Sequence, residues 1–146
     1  MLHSRVGRVL TSALLAGTAV AALSTPTYGA APGIACKSLT GSITGNVTLA
    51  KCTGNTGKAS NPLPATALAS GGTITWKNSK TTTVKLTVAQ GDASKCAVGS
   101  SEYDATGKTT ADTTGSAKVG GKVKASVCVS AAGAVTLVPG TKATIQ

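Results

Sequence analysis

The sequence is poor in the side chains that carry most enzyme chemistry. Its 146 residues include no phenylalanine, one tryptophan, one histidine and one methionine. The histidine and both arginines, His3, Arg5 and Arg8, precede an apolar run at residues 9–23. From residue 31 onward the chain has neither type, so removal of the first thirty residues would exclude a Ser-His-Asp or Cys-His catalyst, a histidine-ligated metal and an arginine clamp. We therefore expect a protein that is not an enzyme, with no catalytic residue, no metal and no cofactor.

The first thirty residues have the pattern of a secretory signal peptide. Basic residues precede the apolar run, and Ser24, Thr25, Pro26 and further small residues follow it. The run is about fifteen residues long, which is shorter than the roughly twenty that cross a bilayer as a helix. We expect residues 1–30 to be a signal peptide, residues 31–146 to be a secreted, extracellular domain, and no segment to span a membrane.

The charge of the chain is strongly one-sided. Beyond residue 30, twelve lysines face four carboxylates, a net charge of +8 that rests on lysine alone. Such a charge attracts anionic partners such as cell-envelope polymers, although lysine also protects exposed sheet edges. The candidate binding residues are two pairs of lysines. Lys122 and Lys124 share a strand face, and we expect Lys77 and Lys85 to lie close across a hairpin. Specific nucleic-acid recognition is not expected, because base reading favours arginine and single strands need aromatic platforms.

The chain has four cysteines, and they predict two disulfides. They are Cys36, Cys52, Cys96 and Cys128. An exported chain meets oxidising conditions, and no Cys-x-x-Cys spacing suggests a redox or metal site. Three pairings are possible, of which Cys36–Cys52 with Cys96–Cys128 best suits a chain of hairpins. Cys52 and Cys128 have the opposite side-chain parity to the neighbouring apolar rows. We therefore expect the bridges to connect loops and sheet edges rather than to cross the core.

The arrangement of apolar residues predicts an all-β fold, an antiparallel β-sandwich or small barrel. Short runs of alternating β-branched residues are separated by glycine and asparagine. Residues 38–44 and 46–52 read as two strands or one long strand, while Thr73–Lys77 and Thr83–Val88 are the clearest strand patterns. Weaker strands are predicted at residues 66–70, 96–98, 101–106, 109–113, 117–119 and 141–145.

Side-chain parity predicts the hairpin loops, because a one-residue slip would send every side chain to the wrong face. A three-residue loop at residues 78–80 places Ile74 opposite Val84 and keeps the apolar row together. In the same way, a loop at residues 131–133 places Val129 opposite Val135 and Val127 opposite Leu137. Trp76 alternates with Ile74 and is therefore predicted to lie in the core.

Two further functions remain as alternatives. Glu102 and Asp104 share a strand face and could form the acid/base pair of a carboxylate-dependent glycan hydrolase. A solvated face explains the same two residues, and they are too few to support a Ca²⁺ loop. The other alternative is a carrier of a small ligand, which requires a cavity between the β layers. The sequence does not indicate an oligomeric state.

Two motifs carry a resemblance to known proteins. Residues 45–52 match a G-x-V-T-L-x-x-C strand, and residues 74–76 read I-T-W. These motifs resemble those of small secreted bacterial proteins of unassigned activity, which implies an exported β domain but no chemistry. The chain also resembles the secreted enediyne apoproteins, which are all-β, rich in Ala, Thr, Val and Gly, and have two disulfides and a chromophore-binding cleft. It differs from them in its basic charge and wider cysteine spacing, and no residue role is carried over.

Overall fold

Residues 31–146 are described by a computed structural model, and they form nine strands and one short helix. The predicted signal peptide at residues 1–30 lies outside the described residues. The elements are β1 (Ile34–Ser42), β2 (Asn46–Cys52), β3 (Leu63–Pro64), α1 (Thr66–Ser70), β4 (Gly71–Thr75), β5 (Thr81–Gln90), β6 (Ser101–Asp112), β7 (Lys122–Val129), β8 (Ala134–Leu137) and β9 (Ala143–Ile145). The predicted all-β, antiparallel fold is confirmed. In this part of the chain, no helix has the length and apolar character needed to span a bilayer.

All strands belong to one antiparallel sheet with the order β3-β2-β1-β8-β7-β6-β5-β4. Strand β9 pairs with the N-terminal ends of β1 and β7, whereas β8 pairs with their C-terminal ends. The segment at residues 59–61 joins the two sides, since the Ser60 N–H donates to the Leu49 carbonyl in β2 and the Asn61 N–H donates to the Thr75 carbonyl in β4. The sheet therefore closes into a small barrel at this level.

Apart from Trp76, which is 0% exposed, and two cysteines, the hydrophobic core of the barrel is aliphatic. The indole Nε1 of Trp76 donates to Thr82 Oγ1 at 2.8 Å. Thr82 Oγ1 in turn donates to Asp112 Oδ1 at 2.6 Å. The first hydrogen bond satisfies the N–H group of the buried ring, and the second satisfies the hydroxyl of the buried Thr82. The prediction that Trp76 lies in the core is confirmed.

The Asp112 carboxylate makes the stability of the fold depend on pH. Burial alone would raise the pKa of Asp112, but hydrogen bonds from Thr82, Thr114 and the backbone N–H groups of Ala117 and Gly115 outweigh it and lower the pKa. A lowered pKa in the folded state adds stability above the unfolded pKa of about 3.9, and this stability is lost as the pH falls through the folded value.

We expect the free energy of unfolding to fall on acidification below about pH 4, and to fall less steeply in Asp112→Asn. At neutral pH this variant should itself be less stable by about 1–3 kcal/mol, because the charged acceptor is lost from a partly buried site. Urea denaturation at a series of pH values measures both effects. Identical acid slopes for the two proteins would contradict this role of Asp112.

The two predicted hairpins have different outcomes. In the β7–β8 hairpin, Val129 pairs with Val135 and Val127 pairs with Leu137, as predicted. Its loop ends at Gly133, whose φ of 79° is the left-handed conformation that favours glycine at this position.

The β4–β5 loop has three residues, as predicted, but it begins one residue earlier, at residues 77–79. Ile74 therefore pairs with Thr82 rather than with Val84. This two-residue change of register keeps side-chain parity. It also sets Thr82 diagonally across from Trp76, within reach of the long indole side chain.

Several weaker strand predictions are wrong. Residues 66–70 form helix α1, because the sequence Thr-Ala-Leu-Ala-Ser is rich in helix formers yet too short to show a helical period. Residues 96–98 and 117–119 lie outside strands. The chain reverses at residues 43–45, where the Gly45 N–H donates to the Ser42 carbonyl, so β1 and β2 are two strands rather than one.

The structure confirms the pairing Cys36–Cys52 and corrects its predicted position. Both cysteines belong to the hydrophobic core, with exposures of 1% for Cys36 and 8% for Cys52. Parity fails here because Lys51 has a φ of 53°, an irregularity that turns the next side chain inward. This bridge therefore joins two adjacent strands inside the core.

The second disulfide, Cys96–Cys128, is also confirmed and occupies the predicted kind of position. Cys128 faces away from its neighbour Val127, which points into the core. Its partner Cys96 lies in the connection between β5 and β6, residues 91–100. The bridge fastens this long connection to the outer face of β7.

Candidate functional site

An apolar cleft of about 360 Å³ opens between helix α1 and the inner face of the sheet. One wall comes from the β1–β2 turn and the region of α1, through Ile43, Ala65, Thr66, Leu68 and Ala69. The floor comes from strands β5 to β8, through Val88, Tyr103, Ala105, Ala125, Val127, Val129 and Val135. The cleft lies at the opposite end of β5 from Thr82 and the Trp76 network.

The floor of the cleft includes two alanines, which leave space above the sheet. Ala105 of β6 and Ala125 of β7 are directly opposite each other across the strands. Helix α1 contributes no fully buried residue, so it covers this floor without filling it. Below Leu68 the interior is packed, with a residual void of only about 40 Å³. The cavity that a ligand carrier requires is therefore present at one end of the barrel.

Two hydroxyl groups interrupt the apolar lining of the cleft, those of Tyr103 and Thr66. Tyr103 lies opposite Val127 on the inner face, whereas Glu102 and Asp104 point to the outer face. Tyr103 was not among the site residues predicted from the sequence. The alternation along β6 was the available signal, since it places Tyr103 and Ala105 on one face.

Four lysines gather on the outer face of β5, β6 and β7. Lys85 is the Cα partner of Lys108, and Lys108 is the Cα partner of Lys122, so one row crosses three strands. Lys124 lies two residues along β7 and opposite Thr106. All four side chains are exposed. We call Lys85, Lys108, Lys122 and Lys124 the lysine patch.

The lysine patch differs in part from the predicted binding residues. Lys122 and Lys124 do share a strand face, but the expectation that Lys77 lies beside Lys85 is wrong. Lys77 is in the turn, whereas Lys85 lies four residues beyond the start of β5, where its β4 partner is Gly71. Lys108 was missed, since its place beside Lys85 and Lys122 depends on the order of strands in the sheet.

The two carboxylates of the hydrolase alternative share the outer face, as predicted. Asp104 accepts a short hydrogen bond from the Ser126 hydroxyl. Glu102 packs beneath Gly91, and its Oε2 atom is buried without a hydrogen-bond partner in the described part of the chain. Neither residue is among those that line the apolar cleft. Across residues 31–146, no cluster of three or more His, Cys, Asp or Glu side chains is placed to hold a metal ion.

Comparison of the chain with protein-family models, with curated proteins and with solved structures finds no match. The two resemblances drawn from sequence motifs therefore stay predictions. The functional argument rests on the geometry of the cleft and of the lysine patch.

Proposed function

We propose that this chain is an exported, non-catalytic binding protein that carries a small apolar molecule in the cleft. The observation that supports the proposal is an open cavity of about 360 Å³ with an almost wholly apolar lining. Small-molecule sites are typically concave, mainly apolar and about 300–1,000 Å³ in volume. A domain with a thin aliphatic core gains stability by burying such a surface, so leaving it open favours a role in binding.

The lining defines the chemistry of the ligand. No charged side chain contributes to the cleft, and the Tyr103 and Thr66 hydroxyls are its polar side-chain groups. An apolar ligand that enters the cleft would release the water that contacts this lining. The ligand is therefore a neutral, largely hydrocarbon or aromatic molecule with one or two groups that can hydrogen-bond.

The compartment is part of the same proposal. Two disulfides hold the described domain, and such bridges persist in oxidising surroundings. The signal-peptide pattern at residues 1–30 fits export to such a compartment. The lack of histidine and arginine beyond residue 30 supports binding rather than catalysis. A carrier outside the cell protects an apolar molecule from water without reacting with it.

Filling the floor of the cleft tests the proposal. Nile red, a neutral apolar dye, serves as the probe, and its fluorescence rises when it enters an apolar site. Ala125→Leu places a larger side chain on the floor, and we expect it to weaken dye binding by about tenfold or more. Ala89→Leu adds the same side chain on the outer face of β5 and should leave binding unchanged. Equal dye affinity for both variants would reject the cleft as the binding site.

A second measurement on the unmodified protein avoids any effect of the substitutions on folding. Methyl resonances of Val88, Val127 and Val129, which line the cleft, should shift when Nile red binds. The methyl resonances of Ile34, which is buried elsewhere in the core, should not shift. Shifts spread evenly over the protein, or none at saturating dye, would contradict the proposed site.

A further inference from the structure

The lysine patch is a concentrated charge on the face of the sheet opposite to the cleft. Lys85, Lys108 and Lys122 are direct neighbours on β5, β6 and β7. Adjacent strands are about 4.8 Å apart, so the row extends over about 10 Å. Lys124 adds a fourth ammonium group one step along β7, beside the exposed hydroxyl residue Thr106.

This arrangement opposes folding unless an anion offsets it. Like charges directly opposite each other on neighbouring strands destabilise the pair. The row itself contains no carboxylate: Asp104 lies on the same outer face, but it is diagonal to Lys124 rather than in the row and accepts a hydrogen bond from Ser126, while Asp112 accepts hydrogen bonds from Thr82 and Thr114. An external anion that binds the lysine patch would therefore relieve this repulsion, and the relief would strengthen its binding.

We propose that the lysine patch binds one linear, phosphate-bearing polymer of the cell envelope, which lies across strands β5 to β7. A row of ammonium groups matches a chain of repeated negative charges, and a single small anion neutralises only part of it. Lysine is a common phosphate ligand and binds it as a point charge, so a row of lysines can hold successive phosphates of a chain without arginine, which is lacking beyond residue 30.

The aromatic residues distinguish this partner from nucleic acid. Single-stranded nucleic acids are held by bases stacked on aromatic side chains. Trp76 is fully buried, and Tyr103 faces the cleft on the other side of the sheet. The lysine patch therefore offers charge without a stacking platform, which favours a phosphate polymer that carries no bases.

Two triple variants with the same change in net charge test the proposal. Lys85→Gln/Lys108→Gln/Lys122→Gln removes the row, and Lys37→Gln/Lys58→Gln/Lys77→Gln removes three exposed lysines elsewhere. Binding to a polyphosphate chain of defined length is measured by calorimetry at low and high salt. We expect the first variant to lose at least about tenfold in affinity and the second much less, with binding in every protein weakened by salt. Equal losses would show that only net charge matters and would overturn the proposal.

The choice of ligands tests the partner chemistry. Orthophosphate, single-stranded DNA and a carboxylated polysaccharide are compared with polyphosphate under the same conditions. We expect polyphosphate to bind most tightly. If DNA or the polysaccharide binds as tightly as polyphosphate, the assignment to a phosphate polymer is overturned. If orthophosphate binds as tightly as polyphosphate, the patch does not require a polymer chain.

Thermal unfolding supplies a readout that separates binding from structure. Lys108→Gln, in the middle of the row, should raise the melting temperature at low salt because it removes repulsion from both neighbours. Polyphosphate should raise the melting temperature of the unmodified protein, and should raise it less in the row variant. A melting temperature that polyphosphate does not change would count against the proposal.

Discussion

Replacing Trp76 by alanine is expected to lower the free energy of unfolding by about 3–5 kcal/mol. Trp76 is the largest fully buried side chain, so truncating it removes a large apolar surface and leaves a cavity among the surrounding aliphatic residues. The substitution also removes the indole N–H that donates to Thr82 inside the core. Domains of this size are commonly stable by about 5–15 kcal/mol, so the variant should be close to unfolding.

Trp76→Phe is the matched control for this prediction. It keeps an aromatic ring in the core but loses the N–H group and part of the volume, and we expect a cost of about 1–2 kcal/mol. Guanidinium denaturation followed by far-ultraviolet circular dichroism suits both variants, since each lacks the only tryptophan. A loss in Trp76→Ala no larger than that in Trp76→Phe would show that the core can collapse around the missing ring.

Removing the Cys36–Cys52 bridge is expected to cost more stability than removing Cys96–Cys128, although its sequence separation is 16 residues rather than 32. Loop-closure entropy favours the longer loop by only about 0.6 kcal/mol for a doubling of length. Cys36 and Cys52 lie in the hydrophobic core, so replacing both by alanine also leaves a void. We expect about 4–6 kcal/mol for this double variant and about 3–4 kcal/mol for the other.

Urea denaturation of the two double alanine variants measures this difference. The variant Cys96→Ala/Cys128→Ala should also free the connection at residues 91–100, which hydrogen exchange would detect as faster exchange there alone. The variant Cys36→Ala/Cys52→Ala should instead increase exchange across β1 and β2. The reverse order of stability would mean that the length of the closed loop outweighs the packing of the sulfur atoms.

The two proposed binding sites use opposite faces of the same strands. Along β5 to β7, one set of alternate residues forms the floor of the cleft and the other set carries the lysine patch. The two proposals are independent, because Ala125→Leu changes only the inner face and the lysine variants change only the outer face. If both hold, the protein can keep an apolar ligand while it is attached to an anionic polymer.

The hairpins show how far side-chain parity can be used. An odd loop length was enough to place Ile74 and Trp76 on the inner face, and this was correct. The register itself was not determined, since a shift of two residues preserves every face and moves Ile74 from Val84 to Thr82. The register is decided by pairing between strands, which the alternation along a single strand does not contain.

The prediction that the Cys52 side chain points away from the core was wrong for a different reason. Parity assumes regular strands, and a single left-handed residue at Lys51 reverses it. No sequence pattern marks this position, because lysine rarely adopts such a conformation. Helix α1 was missed because five residues are too few to distinguish a helical from an alternating period.

The sequence by itself determined the all-β class, the two disulfides, the burial of Trp76 and the absence of histidine and arginine from residues 31–146. These features depend on composition or on residues that are close along the chain. The tertiary structure alone decided the cleft and the lysine patch. The cleft joins Ile43 to Val88 and Val127, and the patch joins Lys85 to Lys108 and Lys122. Such groupings follow from the order in which strands pair, and that order is a property of the whole folded sheet.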